Sequence, residues 1–557
     1  LDAMVSSANL NIYGLDAYRK YGYIPAEKEH ESVSKTLEYA FDDWCISKYA
    51  GWSKNNNYKE EFYKRSQFYK NVFDPQTLFM RPRYNNGWKN PFSPTDVDNN
   101  YTEANSFQYS FYVPQNIPQL SEYMKDDLEG QLDQLFKANS KTTGREQSDI
   151  TGLIGQYAHG NEPSHHIAYL YNYTKSPHKT QQLINYITSE FYTDKPDGLI
   201  GNEDCGQMSA WYVLSAMGFY PVTPGSGKFM IGTPLFDEVK INLENGKTFT
   251  VTANNVSYDN FYVQNFTGED KRPYITVDEI LGGKSIEFVM GNTPAKSFGD
   301  NGVEKYMFEE RPLLDYDVLI PSPYLSTGQN TFKDSLQISM AVNWPNADMY
   351  YNINKGDTPD NYVKYTKPFT IYENSKILTY AHSINGTQFS YFTESNFNKV
   401  PGNVDVTLIS KAGAEYTAGG PEALIDGLRG QVNWRLGKWQ GYQGQDFEAV
   451  LKFKEPIEIK SIGAGFLQDA RSWIWMPVYA EFFVSEDGIN FISAGKINNT
   501  VADTDLNVSI KDFIIELNKK TKCSYIKVSA KNYGKIPSWH PGAGEDAYIF
   551  TDEIFYK

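Results

Sequence analysis

Two adjacent carboxylates, Glu203 and Asp204, lie in a glycine-bracketed turn that leads directly into an apolar helical segment. Such a turn exposes polar side chains at a helix N-terminus, and the packed helix behind it holds them in place, as catalytic carboxylates require. Polar residues before a helix also serve as caps and interact favourably with the helix dipole. The turn is therefore a candidate catalytic site or a helix cap, and the sequence leaves both interpretations open.

A third carboxylate, Glu103, lies among aromatic residues in the segment 101–112 (YTEANSFQYSFY). Aromatic neighbours remove water from a carboxyl group, which raises its pKa and suits it to protonate a leaving group. The alternative is a glutamate in the first turn of an amphipathic helix, where it interacts only with the helix dipole.

Three of the seven histidines fall in the segment 157–166 (YAHGNEPSHH), together with an asparagine and a glutamate. Imidazole, amide and carboxylate groups at short range supply the donors and acceptors that sugar hydroxyls or a metal ion need. Chance clustering of polar residues in a loop is the alternative.

Zinc is the first metal to consider, because His159, His165 and His166 could be ligands. Adjacent histidines on a helix point in different directions, however, and the sequence has neither a His-Glu-x-x-His motif nor paired cysteines. Oxygen-bearing side chains suit a hard cation better, with calcium the natural candidate. The side chains in question are Asn161, Glu162 and Gln108.

These segments, together with the segment 73–83 (FDPQTLFMRPR), resemble glycoside hydrolase family 92, the calcium-dependent exo-acting alpha-mannosidases of bacteria. The resemblance covers residues 1–301 and implies hydrolysis of a terminal alpha-mannoside with inversion at the anomeric carbon. It implies that Glu103 is the general acid and that Asp204 is the general base, acting alone or with Glu203. It also implies that the mannose and calcium site is lined by residues of the His-Gly-Asn-Glu-Pro motif and its surroundings, namely His159, Asn161, Glu162, His165, His166 and Asn202.

Inversion itself requires this division of roles. One carboxyl group protonates the glycosidic oxygen and a second one activates water across the ring, with the two groups roughly 6.5 to 9.5 Å apart. Two carboxylates that are distant in sequence must therefore meet in one pocket. Calcium in contact with sugar hydroxyls would orient the substrate and help to distort its ring toward the transition state.

The family's catalytic unit pairs an N-terminal beta-sandwich with an alpha/alpha toroid of six helical hairpins. Helical spacing of apolar residues recurs in only nine segments before residue 220, which are too few to close such a toroid. The predicted helices are 9–20, 31–49, 58–72, 103–112, 116–124, 127–139, 162–174, 178–192 and 206–217. We therefore expect the chain to begin inside the barrel. The missing N-terminal part of the same protein is an expected partner, because it would supply substrate contacts.

After residue 220 the pattern changes to short alternating runs separated by glycine and asparagine turns, as in strands. We predict a multidomain chain in which part of the alpha/alpha barrel is followed by beta-sandwich domains. The units are the C-terminal part of the barrel (1–225), a small beta-sheet subdomain packed on it (226–310), an immunoglobulin-like spacer (311–400) and a discoidin-like beta-sandwich (401–557).

The last unit holds five of the ten tryptophans and resembles the discoidin or coagulation factor 5/8 type C fold, which includes the family 32 carbohydrate-binding modules. Such modules bind sugars by stacking an aromatic face on the ring. Core packing is the alternative for each tryptophan. The candidates for a sugar-binding surface are Trp439, Arg471, Trp473 and Trp539 with His540.

The composition excludes some partners. A net charge of −16 argues against nucleic acid. Three cysteines that lie far apart imply no disulfide framework, and no segment is apolar enough to be a transmembrane span. The family resemblance implies a periplasmic, cell-surface or secreted bacterial protein that acts on mannose-containing glycans, either N-glycans or yeast mannan.

Two functions remain open from the sequence. The first is an inverting, calcium-dependent exo-alpha-mannosidase, for which we expect an alpha-1,2 linkage even though the acid and base do not encode it. The second is a catalytically inactive fragment, or a glycan-binding adhesin, whose barrel has lost part of its wall.

Overall fold

The computed structural model describes residues 1–267, 272–295, 298, 319–386 and 388–557. The predicted boundary between the second and third units, at residues 310 and 311, lies outside these residues. Within the described ranges, no helix combines the length and the apolar composition needed to cross a lipid bilayer.

Helices are the main regular elements of the first part of the chain, as the apolar spacing predicts. Their apolar faces meet in one large core rich in tyrosine and leucine. Four short 3₁₀-helices connect them, at Phe68–Asn71, Pro114–Asn116, Glu162–Ser164 and Ile167–Tyr173. The α-helices are α1 (Asp2–Ala8), α2 (Leu15–Tyr21), α3 (Ser32–Trp52), α4 (Asn56–Arg65), α5 (Ser106–Tyr109), α6 (Ile117–Tyr123), α7 (Leu128–Lys137), α8 (His178–Glu190) and α9 (Gln207–Ala216).

Short two-stranded ladders between the helices support the loops that carry polar residues. Three of them are antiparallel and the ladder of Asp96–Val97 is parallel. The paired segments are Phe73–Asp74 with Phe79–Met80, Arg83–Tyr84 with Gly87–Trp88, Asp96–Val97 with Thr143–Gly144, and Leu153–Ile154 with Tyr157–Ala158.

Strands replace helices from residue 219, where the sequence pattern changes. A three-stranded sheet has the order Tyr274–Thr276, Lys228–Ile231 and Phe219–Tyr220. Helix α10 (Val277–Leu281) directly follows the strand Tyr274–Thr276. Buried aromatic and aliphatic side chains join this sheet to the next one. The second sheet has the order Glu238–Asn242, Thr248–Asn254, Ser285–Gly291 and Tyr262–Phe266.

The chain from residue 319 to 399 is also β-structured. It packs on the helical part through Arg83, which donates hydrogen bonds to the carbonyl oxygens of Ser322 at 2.9 Å and Pro323 at 2.7 Å. Two small ladders pair Tyr324–Leu325 with Met340–Ala341 and Leu336–Ile338 with Phe369–Ile371. The main sheet has the order Thr331–Phe332, Thr393–Lys399, Ser375–Ser383, Ala347–Ile353 and Val363–Lys364.

The last part of the chain forms one connected antiparallel sheet with its own apolar core. Two long strands, Phe447–Gln468 and Ser509–Ala530, pair along most of their length and carry the other strands. The remaining strands are Val404–Leu408, Gln440–Gln443, Tyr479–Ser485, Ile492–Asn498 and Tyr548–Tyr556. The protein is therefore multidomain, with a β-rich C-terminal region.

Candidate active site

Glu103 lies in a tight loop just before helix α5, with its side chain exposed. Its backbone has a φ of 50°, a conformation that non-glycine residues rarely adopt and that clusters at functional sites. The Tyr101 hydroxyl anchors the loop by donating to the carbonyl oxygen of Met80 at 2.7 Å. On the other side, Asn105 and Gln108 form a capping box that starts α5. The loop therefore presents Glu103 from a fixed backbone.

The segment 159–162 packs directly against this loop. The Asn161 side-chain amide donates to the carbonyl oxygen of Glu103 at 3.0 Å. Gly160 makes room for the segment, since a Cβ atom there would lie 1.9 Å from Thr151 Oγ1. Glu162 follows at the start of a 3₁₀-helix, with its side chain partly exposed.

The turn before α9 separates the roles of the two adjacent carboxylates. Glu203 accepts hydrogen bonds from the backbone N–H groups of Gly206 and Ser209. Its contacts to Ser209 and Gly206 lower the pKa of its carboxyl group. Asp204 has an exposed side chain and a φ of 52°. The Glu203 carboxylate is thus bonded to the backbone at the start of α9, whereas the Asp204 side chain is exposed.

Four carboxylates converge on this region. Partial burial raises the pKa of Glu103, and the nearby charges of Asp149, Glu162 and Asp204 raise it further. Burial also raises the pKa of Glu162, whose carboxyl group contacts that of Asp204. A raised pKa keeps Glu103 protonated to higher pH, as a general acid requires. Asn202, predicted to bind substrate, is exposed at the edge of this cluster and donates to Asp149 Oδ1 at 3.1 Å.

The three histidines of this region are buried inside the protein. His159 Nδ1 lies 2.8 Å from the Tyr157 hydroxyl, and its Nε2 lies 2.7 Å from the Tyr192 hydroxyl. His165 Nε2 lies 2.9 Å from the carbonyl oxygen of His159. His166 Nε2 lies 2.9 Å from the carbonyl oxygen of a phenylalanine after α5. Packing thus engages His159, His165 and His166 in internal hydrogen bonds, and their contact with substrate stays a prediction.

We expect the free energy of unfolding to fall as the pH drops below about 6.5, the ordinary pKa of histidine. Burial lowers the pKa of His165 and of His166 to about 4 in the folded protein. Between these two pKa values the unfolded state binds more protons than the folded state. The stability that is present above about pH 6.5 is therefore lost as the pH falls toward about 4. Each histidine contributes a slope of up to about 1.4 kcal/mol per pH unit.

Urea unfolding across this pH range measures that slope. His166→Gln should reduce the slope of the free energy of unfolding against pH by up to about 1.4 kcal/mol per pH unit, the contribution of one proton. An unchanged slope in the variant would show that His166 does not couple folding to protonation.

The expected calcium ligands fit in part. Gln108 is buried, its Oε1 accepts from the Asn105 N–H and its Nε2 donates to the carbonyl oxygen of Gln156, so its role as a ligand stays a prediction. Asn161 uses its amide N–H toward Glu103 and keeps its amide oxygen, and Glu162 contacts a second carboxylate. Oxygen donors of this kind suit a hard cation. Among the described residues no cluster of three or more His, Cys, Asp or Glu is placed to hold a metal, so neither a zinc site nor a calcium site built from several carboxylates has support there.

A polar pocket of about 370 Å³ opens beside Glu103 and Tyr101. Asp204 and Glu162 are not part of its lining. The sequence motifs did not predict the other residues that line this pocket, because those residues come from separate segments of the chain. A charged run at residues 29–31 is the local pattern that could have indicated part of the lining. The remaining lining residues are His30, Glu31, Asn99, Arg145, Gln147 and Arg435.

The predicted sugar-binding tryptophans of the C-terminal region differ in exposure. Trp439 is 1% exposed and its indole N–H donates to the carbonyl oxygen of Gln431 at 2.9 Å, which favours the core-packing alternative for this residue. Trp539 is 43% exposed, Trp473 is partly exposed and Arg471 is exposed. His540 is buried against the tryptophans.

The family model described as the glycosyl hydrolase family 92 catalytic domain matches residues 1–292. Among solved structures, the chain is similar to a family GH92 alpha-mannosidase from Bacteroides thetaiotaomicron in complex with mannoimidazole, with 40% identity and a TM-score of 0.51 over 54% of this chain and 41% of that chain. The same enzyme without that ligand gives 41% identity and a TM-score of 0.50 over 54% and 40% of the two chains.

A curated relative, an uncharacterized secreted glycosidase of Arthroderma benhamiae, is 28% identical over 320 residues, which are 50% of this chain and 39% of the relative. The chain therefore spans about two fifths of the length of the relatives that it matches.

Proposed function

This chain belongs to glycosyl hydrolase family 92, and we propose that it removes a terminal alpha-linked mannose from glycans with inversion at the anomeric carbon. The observation that carries the proposal is the convergence of Glu103, Asp149, Glu162 and Asp204, in which burial and neighbouring charges raise the pKa of Glu103. A protonated carboxyl beside an ionised one is the pair that glycoside hydrolysis needs. Its mannosidase neighbours support an alpha-mannoside as the substrate.

In the proposed reaction Asp204 takes a proton from water as the water oxygen attacks the anomeric carbon. The bond from this carbon to the glycosidic oxygen breaks, and Glu103 gives its proton to that oxygen as the leaving group departs. The products are mannose of inverted configuration and the shortened glycan. The cap formed by Glu203 fixes the turn that carries Asp204, so Glu203 acts through position and not as a second base.

Calcium is part of the proposal, with Asn161 and Glu162 as the residues that would hold it. When bound, the ion would neutralise carboxylate charge and orient the hydroxyls of the terminal sugar. Asn161 also holds the Glu103 loop through its hydrogen bond to the Glu103 carbonyl oxygen. The protein residues thus place the acid with or without the ion.

The wider architecture is proposed from the same family membership. We assign residues 1–225 to part of an alpha/alpha toroid, 226–310 to a sheet packed on it, 311–400 to an immunoglobulin-like spacer and 401–557 to a discoidin-like sandwich. Trp539 and Trp473, with Arg471, are the side chains of that sandwich available to contact a carbohydrate. A secreted or periplasmic location suits a substrate such as an N-glycan or yeast mannan.

We expect mannose release from an alpha-1,2-linked mannobiose in the presence of calcium and its loss when a chelator removes the ion. Adding calcium back should restore the activity, because the chelator removes only the ion and leaves the residues that would hold it unchanged. Reducing-sugar analysis of the two reactions measures the effect, and NMR of the first product identifies its anomeric configuration. A retained alpha configuration would contradict inversion.

Absence of release in both conditions would contradict mannosidase activity for this chain. Calorimetric binding of the mannobiose without hydrolysis would then support the glycan-binding alternative. Replacing the disaccharide by its alpha-1,3 and alpha-1,6 isomers tests the expected linkage.

A further inference from the structure

The pocket beside Glu103 is lined in part by the C-terminal sandwich. Arg435 belongs to a 3₁₀-helix, Trp434–Leu436, that precedes the strand Gln440–Gln443. The other lining residues belong to the catalytic part of the chain, among them His30, Glu31 and Arg145. The pocket therefore lies where two separately folded parts of the chain meet, which is a preferred place for ligand sites.

Several contacts fix the loop of residues 431–438 in this position. The Asn433 side-chain amide lies 3.1 Å from His30 Nδ1, so the loop touches the pocket wall directly. Lys438 interacts electrostatically with Asp426 on its own side and with Glu27 of the helical part. Trp439 is buried behind the loop and bonds the carbonyl oxygen of Gln431 at 2.9 Å. The loop is thus a built part of the pocket.

Arg435 itself is not committed to the protein. Its guanidinium stacks on the Trp434 ring at 4.3 Å from the ring centroid, and its side chain is exposed. Across the described residues it makes no side-chain hydrogen bond or ion pair. Arg145, in contrast, donates to Asn99 Oδ1 at 2.6 Å. A planar guanidinium with free N–H groups is suited to bind pairs of oxygen atoms on a ligand.

The position of the pocket relative to the acid and base identifies the ligand. Glu103 lines the pocket, whereas Asp204 and Glu162 do not. In an inverting glycosidase the acid lies beside the glycosidic oxygen, and the base lies across the terminal sugar. The side that has the acid without the base is therefore the leaving-group side.

The lining holds two carboxyl side chains, Glu31 and Glu103, beside its two arginines, Arg145 and Arg435. Polar walls that carry carboxyl groups as well as guanidinium groups favour a neutral, hydroxyl-rich ligand over a phosphate. We propose that Arg435 binds hydroxyl groups of the leaving-group sugar, so that the C-terminal sandwich completes the aglycone subsite of the catalytic pocket. This inference rests on the proposed function.

The test compares two substrates that share the terminal mannose but differ in the leaving group, alpha-1,2-mannobiose and alpha-mannosyl fluoride. Arg435→Ala should lower kcat/KM for mannobiose by about ten- to a hundredfold, the effect of losing a charge-assisted hydrogen bond. The value for the fluoride should not change, because fluoride offers no hydroxyl to Arg435. The kcat/KM of Arg435→Lys for mannobiose should lie between those of the wild type and Arg435→Ala, because lysine keeps the positive charge but lacks the planar guanidinium that can bind two oxygen atoms at once.

Lys519→Ala is the matched control, since it removes one exposed positive charge from the same sandwich, on a different strand. Equal activity of Arg435→Ala and wild type on mannobiose would overturn the inference. So would an equal loss on both substrates, which would point to a structural role. A wild-type chain that hydrolyses neither substrate would overturn the proposed function, and this inference with it.

Discussion

Glu103→Gln should slow mannose release from alpha-1,2-mannobiose by about 10²- to 10⁴-fold, the usual contribution of general acid catalysis. The leaving sugar is an alkoxide unless it receives a proton, and glutamine has none to give. The variant keeps the size of the side chain, and the loop is held by Tyr101, Asn105 and Asn161, so the backbone should not move. Steady-state rates of the pure variant and wild type give the ratio.

Alpha-mannosyl fluoride separates this role from a loss of binding. Fluoride leaves without protonation, so Glu103→Gln should hydrolyse it at close to the wild-type rate. Glu190→Gln, an exposed glutamate at the end of α8, is the matched control and should retain activity on both substrates. Similar losses on mannobiose and on the fluoride would rule out Glu103 as the general acid.

The sequence indicated two of the candidate carboxylates, but not the residues that surround them. Glu103 and Asp204 are recognisable because their roles depend on short motifs, and each lies in a loop with positive φ that leads into a helix. Asp149 joins them from a segment without a motif, since it reaches the cluster only through the folding of the chain. No local sequence pattern indicates Arg435, because its position at the pocket depends on how the C-terminal sandwich packs on the helical part.

The histidine segment shows why local composition does not predict burial. Polar residues close together in sequence suggest a binding surface, but the adjacent aromatic residues decide their burial. His159 lies between two tyrosine hydroxyls and 4.3 Å from the ring centroid of Trp211. A buried imidazole must satisfy its nitrogen atoms inside the protein, and these tyrosines do so. Burial of this kind is a property of packing that spacing alone does not encode.

Helix positions were predicted well where apolar spacing is regular and less well where the polar site interrupts it. The predicted helices 178–192 and 206–217 correspond to α8 and α9. The predicted helix 103–112 is helical only over Ser106–Tyr109, because the Asn105 capping box starts it after the Glu103 loop. The predicted helix 162–174 is two 3₁₀-helices, the first with proline in its first turn. The departures therefore mark the loop that carries the candidate acid and the segment that begins at Glu162.

Asp204→Asn should lower turnover of both mannobiose and alpha-mannosyl fluoride by about 10²- to 10⁴-fold, because both reactions need an activated water. The equal loss distinguishes a base from an acid, whose removal spares the fluoride. The expectation follows from the geometry of the turn. Asp204 is exposed and contacts the carboxyl group of Glu162, whereas its neighbour Glu203 is bound to the N-terminus of α9.

Variants of the neighbouring carboxylates test whether the general base is Asp204 or Glu203. Glu203→Gln should retain most turnover on the fluoride and lower the melting temperature, because it weakens the cap of α9 without removing the base. Asp197→Asn, an exposed aspartate in the preceding loop, should change neither quantity. Loss of turnover in Glu203→Gln with retention in Asp204→Asn would transfer the base to Glu203. Added azide should partly rescue Asp204→Asn and yield a beta-mannosyl azide, since an anionic nucleophile attacks without a general base.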